Sequence, residues 1–185
     1  MTAPHGIGHN SRQDFDGYSG RLHQWRKARR DLLGAKLPLE VVRLRVRRAA
    51  ALGLDYGTYA SVRAGTGRDI VALLFSSNAL RMIRTAQMTR DRAAKLAAVA
   101  AERGVLVHAP GSLVAKPPLD WADRAPGFAD SWRQTRARLV QTLRDHHLPP
   151  DAVLMIGDTA FEASWCPTAR AAGYVSADRY FGDAP

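Results

Sequence analysis

Two carboxylates four residues apart, Asp158 and Glu162, follow an apolar run in the segment VLMIGDTAFEA, residues 153–163. The run has the aliphatic residues of a buried strand, and a helix-like segment follows the Gly-Asp-Thr turn. Carboxylates at the end of a parallel strand can bind a metal ion or transfer protons. A plainer role is also open, because Asp or Thr at such a point caps the next helix and Gly permits the tight turn.

Polar residues also follow the two preceding apolar runs. IVALLF, residues 70–75, leads into Ser76, Ser77 and Asn78, and VLVH, residues 105–108, ends in His108. Ligands of parallel α/β proteins bind beyond the carboxyl ends of the strands. The sequence therefore predicts a candidate ligand site at one sheet edge, where Ser76, Asn78 and Asp158 follow their strands.

The elements that position these residues alternate along the chain from Ile70 onward. Apolar runs predict strands at 70–75, 105–108 and 153–158, with a fourth short strand within 174–181. Amphipathic segments at 88–104, 128–147 and 159–173 predict helices between them, and 111–127 is predicted to be a loop. This pattern predicts the α/β class, with a short parallel Rossmann-like sheet of about four strands flanked by helices and an N-terminal helical segment.

The order of the polar groups resembles that of the haloacid dehalogenase-like (HAD-like) hydrolases over roughly residues 68–181. That family has Asp-x-Asp after its first strand, Ser or Thr after the second, a Lys often followed by Pro, and Gly-Asp with a further acid. The resemblance places Asp158 and Glu162 at the metal-binding acids and Lys116 at the charge-neutralising lysine. Ser112 is similar in type to the hydroxyl residue, although it falls a few residues late.

The first motif of that family is altered, since Ser76 and Asn78 stand where its two aspartates would be. The family's chemistry needs one carboxylate to form an acyl-phosphate and another to transfer a proton. The resemblance therefore implies a degenerate HAD-like domain that binds a small phosphorylated ligand or retains weak hydrolase activity. Other candidate nucleophiles, with His108 as base, are Ser76, Ser77, Ser112 and Cys166.

Known catalytic and metal-binding motifs are missing from the sequence. It has no Gly-x-Ser-x-Gly elbow, no phosphate-binding P-loop and no Cys or His spacing typical of zinc. We therefore expect a non-catalytic protein with no cofactor and no bound metal.

The charge of the chain leads to the main prediction, which is a non-catalytic basic α/β protein that binds nucleic acid or another polyanion, with the HAD-like ligand site as the alternative. Lys and Arg number 27 against 17 Asp and Glu, a net charge of +10, and residues 21–48 hold ten of the bases and only two acids. Such a segment can neutralise several phosphates of a nucleic acid or another polyanion. The residues predicted to bind phosphate are Arg29, Arg30, Arg43, Arg47 and Arg63. An acidic protein partner, or an Arg-rich composition without any binding role, would account for the same charge.

Residues 47–67 also resemble a helix-turn-helix. Ala49 lies four residues before the turn glycine Gly53, and Tyr59 and Val62 fit the two buried positions of the second helix. The positions that would face nucleic acid are Asp55, Tyr56, Thr58, Ser61 and Arg63. The alternative is that these helices pack on the sheet and the tyrosines fill the core.

The predicted organisation has three parts, which are a disordered arm at 1–20, a basic helical segment at 21–67, and the α/β sheet domain at 68–185, the last two forming one compact unit. GIGHNS, residues 6–11, resembles a short N-terminal tag of alphaproteobacterial and prophage-type proteins, which implies a bacterial, regulatory or mobile-element setting. One cysteine, no signal peptide and no long apolar run lead us to expect a cytoplasmic protein with no membrane partner.

Overall fold

The computed structural model describes residues 37–82, 88–108 and 115–182. Its internal contacts divide the chain into two compact units, residues 1–42 and 43–185. The sheet and every side chain discussed below belong to the second unit. The predicted arm at 1–20, the first part of the basic helical segment at 21–36, Arg29, Arg30 and Ser112 lie outside the described residues.

Five parallel strands form one sheet in the order β3-β2-β1-β4-β5. Their bounds are β1 Ala72–Ser76, β2 Glu102–Val107, β3 Trp121–Arg124, β4 Val153–Gly157 and β5 Gly173–Ser176. The predicted α/β class with a parallel sheet flanked by helices is therefore confirmed, with five strands where about four were expected.

Seven helices are present in the described residues. They are α1 Leu39–Ala51, α2 Tyr56–Thr66, α3 Arg90–Ala97, α4 Trp132–Asp145, α5 Ala160–Ala163, α6 Trp165–Ala169 and α7 Ala177–Phe181, and a 3₁₀ turn at Pro150–Ala152 precedes β4. The longest, α4, has 14 residues. None of the described helices combines the length and apolar character needed to cross a bilayer.

The central strands are apolar throughout because they are buried on both faces. Leu73 and Phe75 of β1 point into one core cluster, while Ala72 and Leu74 point into the other. Residues of α1, α2, α3 and α7 complete the first cluster. Residues of α4 and α6 complete the second.

The helices before the sheet are part of its core. Leu52, just after α1, and Tyr59 of α2 are both almost fully buried in the cluster that contains Phe75. Gly53 lies between α1 and α2 with φ of 69°, a conformation that glycine adopts without a steric penalty. Residues 49–62 therefore pack on the sheet.

The strand β3 was missed by the sequence pattern, which indicated a loop at 111–127. The strand has only four residues, and its burial comes chiefly from Trp121, whose indole covers Gly104 of β2. A Cβ at Gly104 would lie only 2.1 Å from that ring, so the neighbouring strand needs glycine there. A packing requirement between two distant segments leaves no periodic signal in either one.

Other boundaries also differ from the prediction. The helix expected to reach Gly104 ends at Ala97, because the chain turns early and β2 begins at Glu102. The strand expected within 174–181 is shorter, since the Ser176 hydroxyl accepts the backbone N–H of Arg179 and so caps α7. Ala-rich and mixed polar segments have similar sequence patterns whether they form a helix, a strand or the adjoining turn, and tertiary packing decides which of these they form.

The strand order places a crevice at the centre of the sheet. The chain moves from β1 outward to β2 and β3, then returns to the other side of β1 to form β4 and β5. The connections leave β1 and β4 in opposite directions at their carboxyl ends. Open α/β sheets bind their ligands at such a switch point.

Candidate functional site at the carboxyl edge of the sheet

A buried carboxylate lies at this switch point. Glu162 is 1% exposed, and its Oε2 accepts the backbone N–H groups of Asp158 at 2.6 Å and Thr159 at 3.1 Å. Its Oε1 accepts the Asn78 amide at 3.0 Å and lies 2.8 Å from Nε2 of His108. Groups that follow β1, β2 and β4 thus meet at one side chain. We call Asn78, His108, Asp158 and Glu162 the carboxyl-edge cluster.

Local backbone geometry directs Glu162 inward. Thr159 is the N-cap of α5, and its hydroxyl accepts the Glu162 N–H while the Glu162 carboxylate accepts the Thr159 N–H, a reciprocal capping box. Gly157 makes room for this arrangement, because a Cβ there would lie 2.8 Å from the Cβ of Glu162. The Gly-Asp-Thr turn therefore caps a helix through Thr159, and the Asp158 side chain pairs with Arg81 instead.

Glu162 is held in its ionised form. Burial alone would raise its pKa, but hydrogen bonds from His108, the Asp158 backbone, Ser76 and the Thr159 backbone outweigh it and lower the pKa to about 2. Buried charges of this kind persist only where donors surround them. The site consequently contains a fixed negative charge at neutral pH.

His108 is oriented by that charge. An ionised carboxylate can only accept hydrogen bonds, so the proton at the 2.8 Å contact with Glu162 belongs to Nε2 of His108. The backbone N–H of His108 donates to the Ser77 hydroxyl at 3.2 Å, which ties the end of β2 to that of β1. The imidazole is thus oriented with Nε2 toward Glu162 and Nδ1 directed away from it.

An arginine lies beside the cluster. Nη1 of Arg81 donates to Oδ2 of Asp158 at 3.0 Å, and Nη2 lies 3.6 Å from Oδ1 of Asp178. Arg81 follows β1 and has φ of 56°, a left-handed conformation that turns the chain back over the sheet edge. Its guanidinium stays partly exposed, so two carboxylates position a cation that solvent can reach.

Aromatic rings surround His108 on its other side. The ring centroids of Phe128, Phe161 and Trp165 lie 5.6, 6.5 and 5.4 Å from that of His108. Phe128 stacks on Phe161 at 4.7 Å, and Phe161 meets Trp165 edge to face at 5.8 Å. We call His108, Phe128, Phe161 and Trp165 the aromatic cluster. It shares His108 with the carboxyl-edge cluster, so apolar and polar surfaces adjoin.

Trp165 carries an unusual polar atom within the aromatic cluster. The residue is 3% exposed, and its indole Nε1 has no hydrogen-bond partner among the described residues. An unpaired buried N–H costs about 1–3 kcal/mol. Among the described residues, the indole N–H of Trp165 is therefore left without a hydrogen bond, in a ring that packs against His108.

The predicted ligand-site residues separate into two groups. Asn78, Asp158 and Glu162 meet as described, and Ser76 contributes to the low pKa of Glu162. Lys116 is exposed, and within the described ranges no hydrogen bond or ion pair joins it to Asp158 or Glu162.

The candidate nucleophiles in the described residues are engaged elsewhere. Ser76 and Ser77 are buried, and their hydroxyls accept the backbone N–H groups of Ala79 and His108. Cys166 contacts the Ala171 carbonyl at 3.8 Å, and burial raises the pKa of its thiol. A thiol kept protonated is a poor nucleophile. These three side chains hold the backbone in place.

The predicted phosphate-binding residues are placed unevenly. Arg43 and Arg47 are exposed one turn apart on the same face of α1. Arg63 instead lies 3.4 Å from the Tyr59 hydroxyl and 3.7 Å from Asp69. Two residues of the predicted set therefore face solvent, while a third belongs to an internal network.

The second helix of the helix-turn-helix resemblance turns its longer side chains inward. Tyr59 is buried, as that pattern expects, but Thr58 is buried as well and binds Asp55 and Arg179. The exposed positions of α2 carry small side chains, which are Gly57, Ser61, Ala64 and Gly65. Short side chains reach less far toward base edges than the long polar ones used in direct readout.

Arg81 and Phe128 were not singled out from the sequence. Arg81 lies in a mixed polar and apolar stretch after β1, and its contacts with Asp158 and Asp178 connect it to the site. Phe128 was assigned to the start of a predicted helix, whereas α4 begins at Trp132 after the Ser131 N-cap. A phenylalanine next to Gly127 was the available signal, because such a residue belongs to a turn rather than a buried helix face.

In the part of the chain that the structure describes, no group of three or more His, Cys, Asp or Glu side chains is arranged to hold a metal ion. Comparisons with protein-family models, with curated proteins and with solved structures found no significant match. The functional inference therefore rests on the site geometry.

Proposed function

We propose that the chain binds a small phosphorylated ligand in the crevice between the carboxyl ends of β1 and β4. The observation that carries this proposal is the convergence of Asn78, His108 and Asp158 on the buried Glu162 at the switch point of the sheet. Building a charged, hydrogen-bonded site at a strand edge costs desolvation energy, and such sites are characteristic of ligand binding in this architecture.

Arg81 supplies the anion-binding group in this proposal. A guanidinium presents five N–H donors in a planar fork that matches phosphate oxygens, and Asp158 and Asp178 engage only part of that fork. Asp158 then acts as a positioning residue for Arg81. The Asn78 amide is a further donor at the same end of the sheet.

The proposed activity is binding without phosphoryl transfer. A nucleophilic carboxylate would have to stand at Ser76 or Asn78, and both side chains instead serve the Glu162 network. Glu162 is itself fully engaged by hydrogen bonds from protein groups. The ligand is therefore held at the edge and released unchanged.

The test is calorimetric titration of the full chain with ribose 5-phosphate and with inorganic phosphate. Arg81→Gln is expected to weaken binding at least tenfold, in line with the loss of a charge-assisted hydrogen bond. Arg144→Gln is the matched control, since it removes one exposed arginine from α4 and leaves the net charge equal to that of Arg81→Gln.

Three results would count against this proposal. Absence of binding by the parent chain would remove it, and equal affinities of the Arg81 and Arg144 variants would place the anion elsewhere. Release of inorganic phosphate from ribose 5-phosphate during the titration, absent in Arg81→Gln, would replace binding by hydrolysis.

A second function, binding of nucleic acid or another polyanion, is supported by a separate observation. Arg43 and Arg47 are exposed on one face of α1, in a chain whose net charge is +10. Two arginines one turn apart can contact successive phosphates, giving salt-sensitive binding without sequence preference.

Fluorescence anisotropy with a labelled random DNA duplex, from about 50 to 300 mM salt, tests this second function. Reversing both charges with Arg43→Glu and Arg47→Glu is expected to abolish binding and reduce the salt dependence. Arg144→Glu combined with Arg138→Glu changes net charge equally on α4 and should retain most of the affinity. Equal losses in both double variants would show that net charge alone, and not this face, attracts the DNA.

A further inference from the structure

A cleft lies along the outermost strand β5. Residues 172–175 line it together with Gly57, Ser61 and Gly65 of α2, and its volume is about 320 Å³. Clefts of this size are typical of ligand binding. Within the described part of the chain β5 pairs with β4 alone, so its other edge has no neighbouring strand.

The cleft follows the backbone of β5. Side chains of successive strand residues point to opposite faces of a sheet, so a cleft over one face would contact only alternate residues. Four successive residues, 172–175, line this cleft, and Gly173 has no side chain to cover its peptide groups. An edge strand presents unpaired N–H and C=O groups. The cleft therefore gives a second chain access to backbone donors and acceptors.

The neighbouring helix leaves room for that second chain. Gly57, Ser61 and Gly65 lie one turn apart on α2, and all three border the cleft. A Cβ at Gly65 would meet no atom within 4 Å, so the space beside it is open. An extended chain can approach β5 here without displacing a side chain of α2.

The opposite edge of the sheet is bordered differently. Arg124, Arg138 and Asp145 line the surface between the edge strand β3 and α4. Charged side chains at a sheet edge discourage the addition of another strand. The β5 edge, beside the short side chains of α2, is the more suitable of the two for such an addition.

Arg179 of α7 sets the charge of the cleft. It is the one charged residue among the described residues that line the cleft, and its side chain is 63% exposed. Its Nη2 donates to the Thr58 hydroxyl at 2.7 Å and lies 3.6 Å from Oδ2 of Asp55. Within the described ranges no hydrogen bond or ion pair uses its Nη1 or Nε. The guanidinium can therefore bind a further carboxylate.

We propose that the β5 edge binds an extended peptide of another protein, which adds as a sixth strand and places an acidic side chain on Arg179. Backbone hydrogen bonds supply the affinity in this mode of recognition, and side chains that enter the cleft supply the selectivity. A second copy of the chain is a less suitable occupant, because each copy has a net charge of +10 and the copies repel each other. This inference does not depend on ligand binding at Arg81.

The experiment measures peptide binding to the full chain by fluorescence anisotropy. The probe is a labelled peptide of alternating valine and threonine that ends in two aspartates, and the comparison peptide ends in two lysines. The aspartate peptide is expected to bind at least tenfold more tightly, in line with a charge-assisted hydrogen bond to Arg179. N-methylation of one alternate set of its residues should abolish binding and that of the other set should not, because only alternate N–H groups face a neighbouring strand.

Variants of α2 and α7 locate the binding. Gly65→Gln fills the cleft and should weaken binding of the aspartate peptide at least tenfold, without lowering the melting temperature, because glycine is a poor helix former. Ala64→Gln is the matched control, since Ala64 is exposed on α2 and does not line the cleft. It should keep the parent affinity. Arg179→Gln should retain binding but remove the preference for aspartate over lysine.

Four outcomes would overturn the proposal. They are the absence of binding by the aspartate peptide, equal losses of affinity in Gly65→Gln and Ala64→Gln, unchanged affinity of both methylated peptides, and an unchanged aspartate preference in Arg179→Gln. Sedimentation analysis of the chain alone tests the other occupant. A dimer that Gly65→Gln dissociates and Ala64→Gln does not would assign the β5 edge to a second copy instead.

Discussion

Two carboxylates at opposite ends of the sheet organise very different surroundings. At the carboxyl edge, Glu162 is almost fully buried and collects groups from segments up to 84 residues apart. At the amino edge, Asp69 has a side chain 39% exposed and accepts the Tyr59 hydroxyl at 2.8 Å and Arg48 at 2.9 Å. We call Arg48, Tyr59, Arg63 and Asp69 the amino-edge cluster.

The two clusters differ in what their remaining donors contact. In the amino-edge cluster, Arg48 also donates to the carbonyls of Ile70 and Ala100, so its guanidinium joins α1 to the start of β1 and to the segment before β2. Beside the carboxyl-edge cluster, Arg81 and the exposed Phe128 ring that stacks on His108 remain accessible. A cluster whose donors are used by the backbone serves stability, whereas one with accessible donors can bind a ligand.

The largest expected effect is that of Glu162→Gln. In the folded protein the pKa of Glu162 is lowered from 4.5 to about 2. Ionisation of Glu162 therefore stabilises the fold above about pH 4.5, and that stabilisation is lost as the pH falls toward 2. The pKa shift corresponds to about 3 kcal/mol of unfolding free energy at neutral pH. The variant should unfold more easily in urea at pH 7 and lose less stability than the parent between about pH 5 and 3.

Asp91→Asn is the control for Glu162→Gln, because Asp91 is an exposed carboxylate in the first turn of α3. Its free energy of unfolding should stay within about 0.5 kcal/mol of the parent. An unchanged acid dependence in Glu162→Gln would mean that other carboxylates govern the low-pH stability.

A matched pair of neighbouring arginines gives the next effect. Arg48→Gln removes the donors to Asp69, Ile70 and Ala100 and is expected to destabilise the fold by about 2 kcal/mol. Arg47→Gln, on the exposed face of α1, should change the free energy of unfolding by less than about 0.5 kcal/mol. Urea denaturation measures both, and similar losses would contradict the distinction between an internal and a surface arginine.

Asp69→Asn should have a smaller effect than Arg48→Gln, about 1 kcal/mol, because solvent screens a partly exposed charge. Burial raises the pKa of Asp69, but the hydrogen bonds from Tyr59 and Arg48 lower it by more than burial raises it, so the pKa lies below its ordinary value. Its contribution is therefore present at neutral pH and is lost as the pH falls below the ordinary Asp range of about 3.9. Thermal melts of Asp69→Asn and Glu162→Gln at matched pH compare the stability that each cluster contributes. A larger decrease in melting temperature for Asp69→Asn would contradict the expected order.

The smallest effect on stability is expected for Arg81→Gln. Its ion pairs with Asp158 and Asp178 lie at the surface, where such pairs contribute about 0–1 kcal/mol. The same variant is expected to lose ligand affinity, so stability and binding should separate at this residue. A melting temperature lowered as much as that of Arg48→Gln would show Arg81 to be a structural residue instead.

The continuous apolar runs by themselves determined the α/β class and the central strands. β1 and β4 are buried on both faces, so their sequences carry the hydrophobic signal without needing a partner segment. The Gly-Asp-Thr turn likewise specified a helix start, since a capping box is a local motif. Asn78, Asp158 and Glu162 were identified because residues at strand ends share one edge of a parallel sheet.

Tertiary structure alone decided β3, the distant groups that surround Glu162 and the separation of the arginines. Trp121 makes β3 a strand by covering Gly104, and Arg48 and Arg63 are drawn to Asp69 while Arg47 remains outside. Arg81 and Phe128 enter the site only through residues distant in sequence. Local patterns report the burial of a segment, but they do not report which distant groups will surround it. The chemistry of an assembled site depends on those groups.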